Sequence, residues 1–151
     1  MATEFSDLTP EGKKYFAELK KLAKLEVQVG WQAGEVADEE SGADMTQIAA
    51  FNEFGSSDTP ARPFMKQSFE NHEAELQAAC DTVNQTIVKG GTAQEALNKL
   101  GVFCKGLVQR EIKDGDFAPN APSTIEKKGS DKPLIDTGHM RQTVNYVVKR
   151  R

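Results

Sequence analysis

Between Ile87 and Leu97 the chain reads IVKGGTAQEAL, a helix stop and a helix start within a few residues. Gly90-Gly91 ends one apolar repeat, and Thr92 with Glu95 stands at the spacing of a capping box that opens the next. Upstream, Met65, Phe69, His72, Leu76, Ala79, Cys80, Val83 and Ile87 recur at three- and four-residue steps, which predicts a single long amphipathic helix from Pro63 to Lys89. Downstream, Ala93, Leu97, Leu100, Cys104, Leu107, Val108 and Ile112 predict a second helix to about Lys113. Two long helices joined by a glycine turn imply an antiparallel pair, with Leu76, Val83, Leu100 and Leu107 as core residues.

Outside this pair the periodicity changes. Leu25, Val27, Val29 and Trp31 alternate with Glu26, Gln28 and Gly30, the period of a half-buried strand. Thr143, Val144, Tyr146, Val147 and Val148 supply strand-forming residues near the basic end. Placed side by side, these two segments make a small antiparallel or mixed sheet covered by the helix pair, an α+β fold in one domain over residues 1–151. Thr9-Pro10 marks the start of an N-terminal helix to about residue 24. QAGEVADEESGAD, residues 32–44, reads as an exposed acidic loop or hairpin tip. Asp44 then caps a short helix expected to turn Ile48, Phe51 and Phe54 inward. After it, NEFGSSDTPARPF (Asn52–Phe64) makes a stiff corner, because Gly55 allows a left-handed turn and each proline forces its preceding residue to be extended. From Gly115 the chain is expected to run as an extended Pro/Gly-rich segment with a short helical turn at Ser123–Lys127.

Composition narrows the function classes. No apolar run is long enough to span a bilayer, and the N-terminus carries acids where a signal peptide has bases, so the chain is expected to be soluble and cytosolic when made. Cys80 and Cys104 lack metal or redox spacing and fall on apolar stripes, the pattern of reduced core thiols. A net charge of −4 argues against a general DNA-backbone binder. The charge is graded: residues 1–61 carry 12 carboxylates against 5 bases, residues 62–116 carry 8 against 7, and residues 117–151 carry 3 against 7. Neither His72 nor His139 has a second metal ligand at helical spacing, and EKKGSDK lacks the arrangement of a phosphate loop. PLIDTG contains the Asp136-Thr137-Gly138 triad of aspartic hydrolases. Those enzymes are built almost wholly from strands, with substantial chain after the triad. Here two long helices precede it and only a short tail follows, so Asp136 or Thr137 is read as capping a turn at His139–Gln142. No catalytic residue, cofactor or metal is expected.

Three stretches together carry a resemblance: the VQVGW strand, IAAFNEFGSSDTPARPF opening a long helix, and APNAPSTIEKKGSDKPLIDTGHMRQTVNYVV near the C-terminus. In them the chain resembles the neck or tail-completion proteins of long-tailed bacteriophages, a lambdoid tail-component family, over about Leu25–Val148. Its specific parts are Asn52-Glu53-Phe54-Gly55, Pro60-Ala61-Arg62-Pro63-Phe64 and Lys128-Gly129 through Thr137-Gly138, while the acidic insert from Glu35 to Asp44 is longer than the family pattern. The resemblance implies a non-enzymatic virion protein: a ring of six identical subunits between the head-side connector and the tail terminator or tail tube, with phage DNA passing through its lumen. A tail-terminator or minor tail protein is the alternative within the class, and a hydrolase using Asp136 the alternative outside it. In a head-to-tail ring the charge gradient makes Glu35, Asp38, Glu39, Glu40 and Asp44 on one face, and Lys127, Lys128, Lys132, Arg150 and Arg151 on the other, the candidate subunit-interface residues, together with Arg62 at the corner.

Overall fold

The computed structural model describes residues 7–37, 42–117 and 138–151. Among them are six helices and two strands, in the order α1 (Pro10–Leu22), β1 (Leu25–Gly30), α2 (Met45–Phe54), α3 (Phe64–Glu70), α4 (Glu73–Val88), α5 (Ala93–Asp114), α6 (His139–Thr143) and β2 (Asn145–Arg150). The strands pair with each other in one antiparallel sheet, and the Arg151 N–H donates to the Lys24 carbonyl just beyond its edge. The fold is therefore α+β, as the alternation at Leu25–Trp31 and the helix pair around Gly90 predict.

The chain divides into two compact units, each with its own apolar cluster. The first holds α1, most of α4, the first half of α5 and the outer part of the sheet. Thr9 caps α1 through its hydroxyl, which accepts from the Gly12 N–H, and Pro10 begins the helix. Tyr15, Leu19 and Leu22 from α1 pack with Leu100 against the buried Val83, Ile87 and Ala96. The turn joining α4 to α5 is closed by Gly90 at φ 96°, a conformation that favours glycine, and the Thr92 hydroxyl accepts from the Glu95 N–H to start α5. This helix pair packs against the sheet.

The second unit is built from the inner end of the sheet, α2, α3, the second half of α5 and α6. Its centre is Phe64, fully buried among Met45, Val108, Ile112 and Val144, with the Trp31 ring edge-on at a centroid distance of 5.7 Å. Burying a side chain of this size contributes about 1.5–3 kcal/mol. The Trp31 indole N–H donates to the Thr143 hydroxyl at 3.0 Å, which ties the end of β1 to α6.

Several expectations are corrected. The long helix drawn from Pro63 to Lys89 is two helices, broken at Asn71-His72, where both side chains turn to the carboxylate of Glu111. Pro63 is the N-cap rather than the first helical residue. Phe51 and Phe54 point outward, at 63% and 81% exposure, because the inward stripe of α2 is Met45, Ile48, Ala49 and Asn52. Cys80 is exposed while Cys104 is buried, and both are free thiols. Among the four core residues expected of the helix pair, Val83 and Leu107 are buried but Leu76 and Leu100 only half so. The N-cap of α6 is Gly138 in a left-handed conformation, with no side-chain cap bond. Asp136, Thr137 and the turn at Ser123–Lys127 lie outside the described residues.

Candidate functional site: the corner between α2 and α3

The corner at Asn52–Phe64 is a closed hydrogen-bonded unit. Gly55, at φ 77° and ψ 179°, ends α2, and its own N–H donates to the Phe51 carbonyl. A side chain there would meet the Ala61 nitrogen at 2.7 Å and the Thr59 carbonyl at 2.9 Å, so only glycine lets the two arms of the loop approach. Ser56 N–H donates to the Thr59 carbonyl, and Arg62 N–H donates to the Asn52 carbonyl at 2.6 Å.

Glu53 joins the two helices. Because α3 starts after Pro63 with no side-chain cap of its own, its first N–H groups need acceptors from elsewhere. Phe64 N–H finds the Arg62 carbonyl, and Gln67 N–H finds the Pro63 carbonyl. Met65 and Lys66 donate to the two oxygens of the Glu53 carboxylate at 2.8 and 3.1 Å. A carboxylate at a helix N-terminus is also favoured by the helix dipole. The corner therefore fixes the angle between α2 and α3 through side-chain and backbone bonds together.

Beside this rigid element two large apolar side chains face outward. Phe51 and Phe54 are three residues apart and share the outer face of α2 with Gln47 and Ala50. Arg62 is held inside the corner at 7% exposure, and burial keeps its guanidinium pKa below the ordinary value, although an arginine remains charged. Among the described interface candidates read from sequence, Arg62 is thus the one that is buried. Glu35 is exposed. Asp44 is committed locally, capping α2 by accepting from the Thr46 N–H at 3.1 Å and holding the Gly34 N–H at 2.9 Å, while its backbone bridges to Ala37 across the base of the acidic loop. Arg150 and Arg151 are exposed at the end of the sheet, beside Lys24. Asp38, Glu39, Glu40, Lys127, Lys128 and Lys132 lie outside the described residues. The phenylalanines were missed as surface residues because aromatic size outweighed register; the three- and four-residue step from Met45 through Asn52 was the signal that places them outside.

The buried titratable groups are spoken for by structure. Glu111 accepts from Asn71 at 3.4 Å and stands 3.2 Å from the His72 Nε2, pinning the break between α3 and α4 to α5. Glu18 lies within 3.3 Å of the Lys21 ammonium. His139 Nε2 is 3.1 Å from the Ala37 carbonyl. Among the described residues no His, Cys, Asp and Glu side chains cluster as metal ligands, and no helix is long and apolar enough to cross a membrane. A scan against known protein-family models, a search of curated proteins and a search of solved structures each find no match to this chain.

Proposed function

We propose that this chain is a structural subunit of a tailed-bacteriophage virion, a neck or tail-completion protein that closes into a homo-oligomeric ring at the head–tail junction and lets DNA pass. The observation that carries the reading is the corner itself. The stretch Asn52–Phe64, part of one of the three stretches that carry the family resemblance, holds α2 at a fixed angle to α3, and Phe51 and Phe54 of α2 face solvent. Exposed aromatics on a locked element are characteristic of a protein whose surface is completed by another subunit, since each gains about 1.5–3 kcal/mol on full burial. Fixed angle matters in a ring, because an angular error at one interface is repeated at every other and prevents closure. The excess of carboxylates in residues 1–61 suits a conduit that repels phosphate and lets DNA slide.

Negative-stain electron microscopy of the purified protein, and of virions labelled with an antibody raised against it, tests the reading. Closed rings and label at the head–tail junction are expected. Label elsewhere on the virion, or a chain that stays monomeric at every concentration, would overturn it.

A further inference from the structure

α1 carries a second exposed apolar feature, of opposite charge to the first. An open groove of about 560 Å³ runs along it, with an apolar wall of Leu8, Phe16, Leu19 and Ala23 and with Lys13 and Lys20 at its margins. Ala17 is the remaining described residue of the lining, and none of the described lining residues is a carboxylate. Phe16 is 37% exposed. An apolar cavity of about 150 Å³ is enough to hold one benzene ring, so this groove has room for more than one aromatic side chain.

Phe51 and Phe54 are a matching projection. They lie in a stretch, residues 25–61, with eight carboxylates and no lysine or arginine, and Asp58 is exposed in the turn immediately after them. One surface is a pair of aromatic tips followed by the exposed carboxylate of Asp58, and the other is an apolar groove with two lysines at its margins. We infer that the two are the halves of one heterologous contact: the α2 phenylalanines of one copy seat in the α1 groove of the next. The occupant is a second copy of this chain, because the charges beside the two apolar surfaces are opposite and both surfaces are exposed in the single chain. Made once between two copies, a contact between unlike surfaces leaves the pair with one unused projection and one unused groove, so it propagates into a ring or a filament. This rests on the ring reading above and names the surfaces that build the ring.

The test uses the full chain and two variants at exposed positions, Phe54→Glu to break the projection and Ala17→Glu with Lys20→Glu to break the groove. Phe51→Ser serves as an independent second variant of the projection. Far-UV circular dichroism and thermal melts verify that each is folded like the parent, and sedimentation velocity reads assembly. The parent is expected to assemble, and each variant alone to lose self-affinity by more than about tenfold. Mixed in equal amounts, the projection and groove variants should form a heterodimer and nothing larger, since only one intact pair of surfaces remains. A parent that assembles while either variant assembles equally well, or variants that do not pair when mixed, would overturn this contact and leave the ring reading standing. A parent that stays monomeric would overturn both and assign the two surfaces to a different protein.

Discussion

Replacing Glu53 by alanine is the sharpest probe of the corner. The carboxylate is the acceptor for two backbone donors of α3, Met65 N–H and Lys66 N–H, and α3 has no cap of its own beyond it. Loss of a side-chain cap costs typically about 1 kcal/mol, with a range of about 0.5–2, and hydrogen bonds to a charged acceptor lie at about 1.5–3 kcal/mol. Met65 is half-buried and Lys66 exposed, so water replaces part of what is lost, and a net destabilisation of about 2 kcal/mol is expected. For a chain of this size that corresponds to a fall in Tm of roughly 4–8 °C. Glu53→Gln keeps one acceptor oxygen but loses the charge, and should fall between parent and alanine variant, at about 1 kcal/mol. Urea titration followed by circular dichroism measures both. If Glu53→Ala has the midpoint of the parent, α3 is not held by this carboxylate and the corner is not the rigid element described.

Gly55→Ala should destabilise by about 1–3 kcal/mol, from a positive φ combined with a Cβ placed 2.7 Å from the Ala61 nitrogen; an unchanged melt would mean that the loop arms are further apart. Ile87→Ala, at a fully buried position, should cost about 2–5 kcal/mol and more than Leu100→Ala at its half-buried neighbour, an order that paired denaturation curves check. Trp31 is the only tryptophan, so its fluorescence reports the second unit alone, and Thr143→Val should shift its emission and cost about 1 kcal/mol by removing the acceptor of the indole N–H. Comparing that fluorescence transition with the far-UV signal tests whether the two units unfold together; coincident curves are the two-state outcome and separated curves the independent one.

Sequence patterning reached the elements whose cause is local. The Gly90-Gly91-Thr92 turn, the Asp44 cap, the Thr9-Pro10 start and the alternating strand at Leu25 each depend on residues within a few positions of one another, and each stands where its spacing indicates. The helix break and the Glu53 cap escaped because their causes are partners distant along the chain. The break at Asn71-His72 is invisible in a continuous apolar repeat because its cause, Glu111, lies some forty residues away on α5. Glu53 reads as an ordinary polar position on α2, since the helix it caps begins on the far side of two prolines. Cys80 follows the apolar repeat but faces solvent, as a small residue is compatible with either face of α4.

The sheet joins β1 to β2 across more than a hundred intervening residues, which include five of the six described helices. In equilibrium terms that separation matters little, because loop-closure entropy grows with the logarithm of length, about 0.6 kcal/mol per doubling. In time it matters more. Local pieces such as the α4–α5 hairpin can form within microseconds, whereas a pairing between distant segments has to wait for the chain between them to become compact. β2, the one partner of β1 among the described residues, thus pairs late, and Val27 and Val29 stay open to other chains until then. Refolding at high protein concentration should accordingly lose yield at this step, before the native fold is complete.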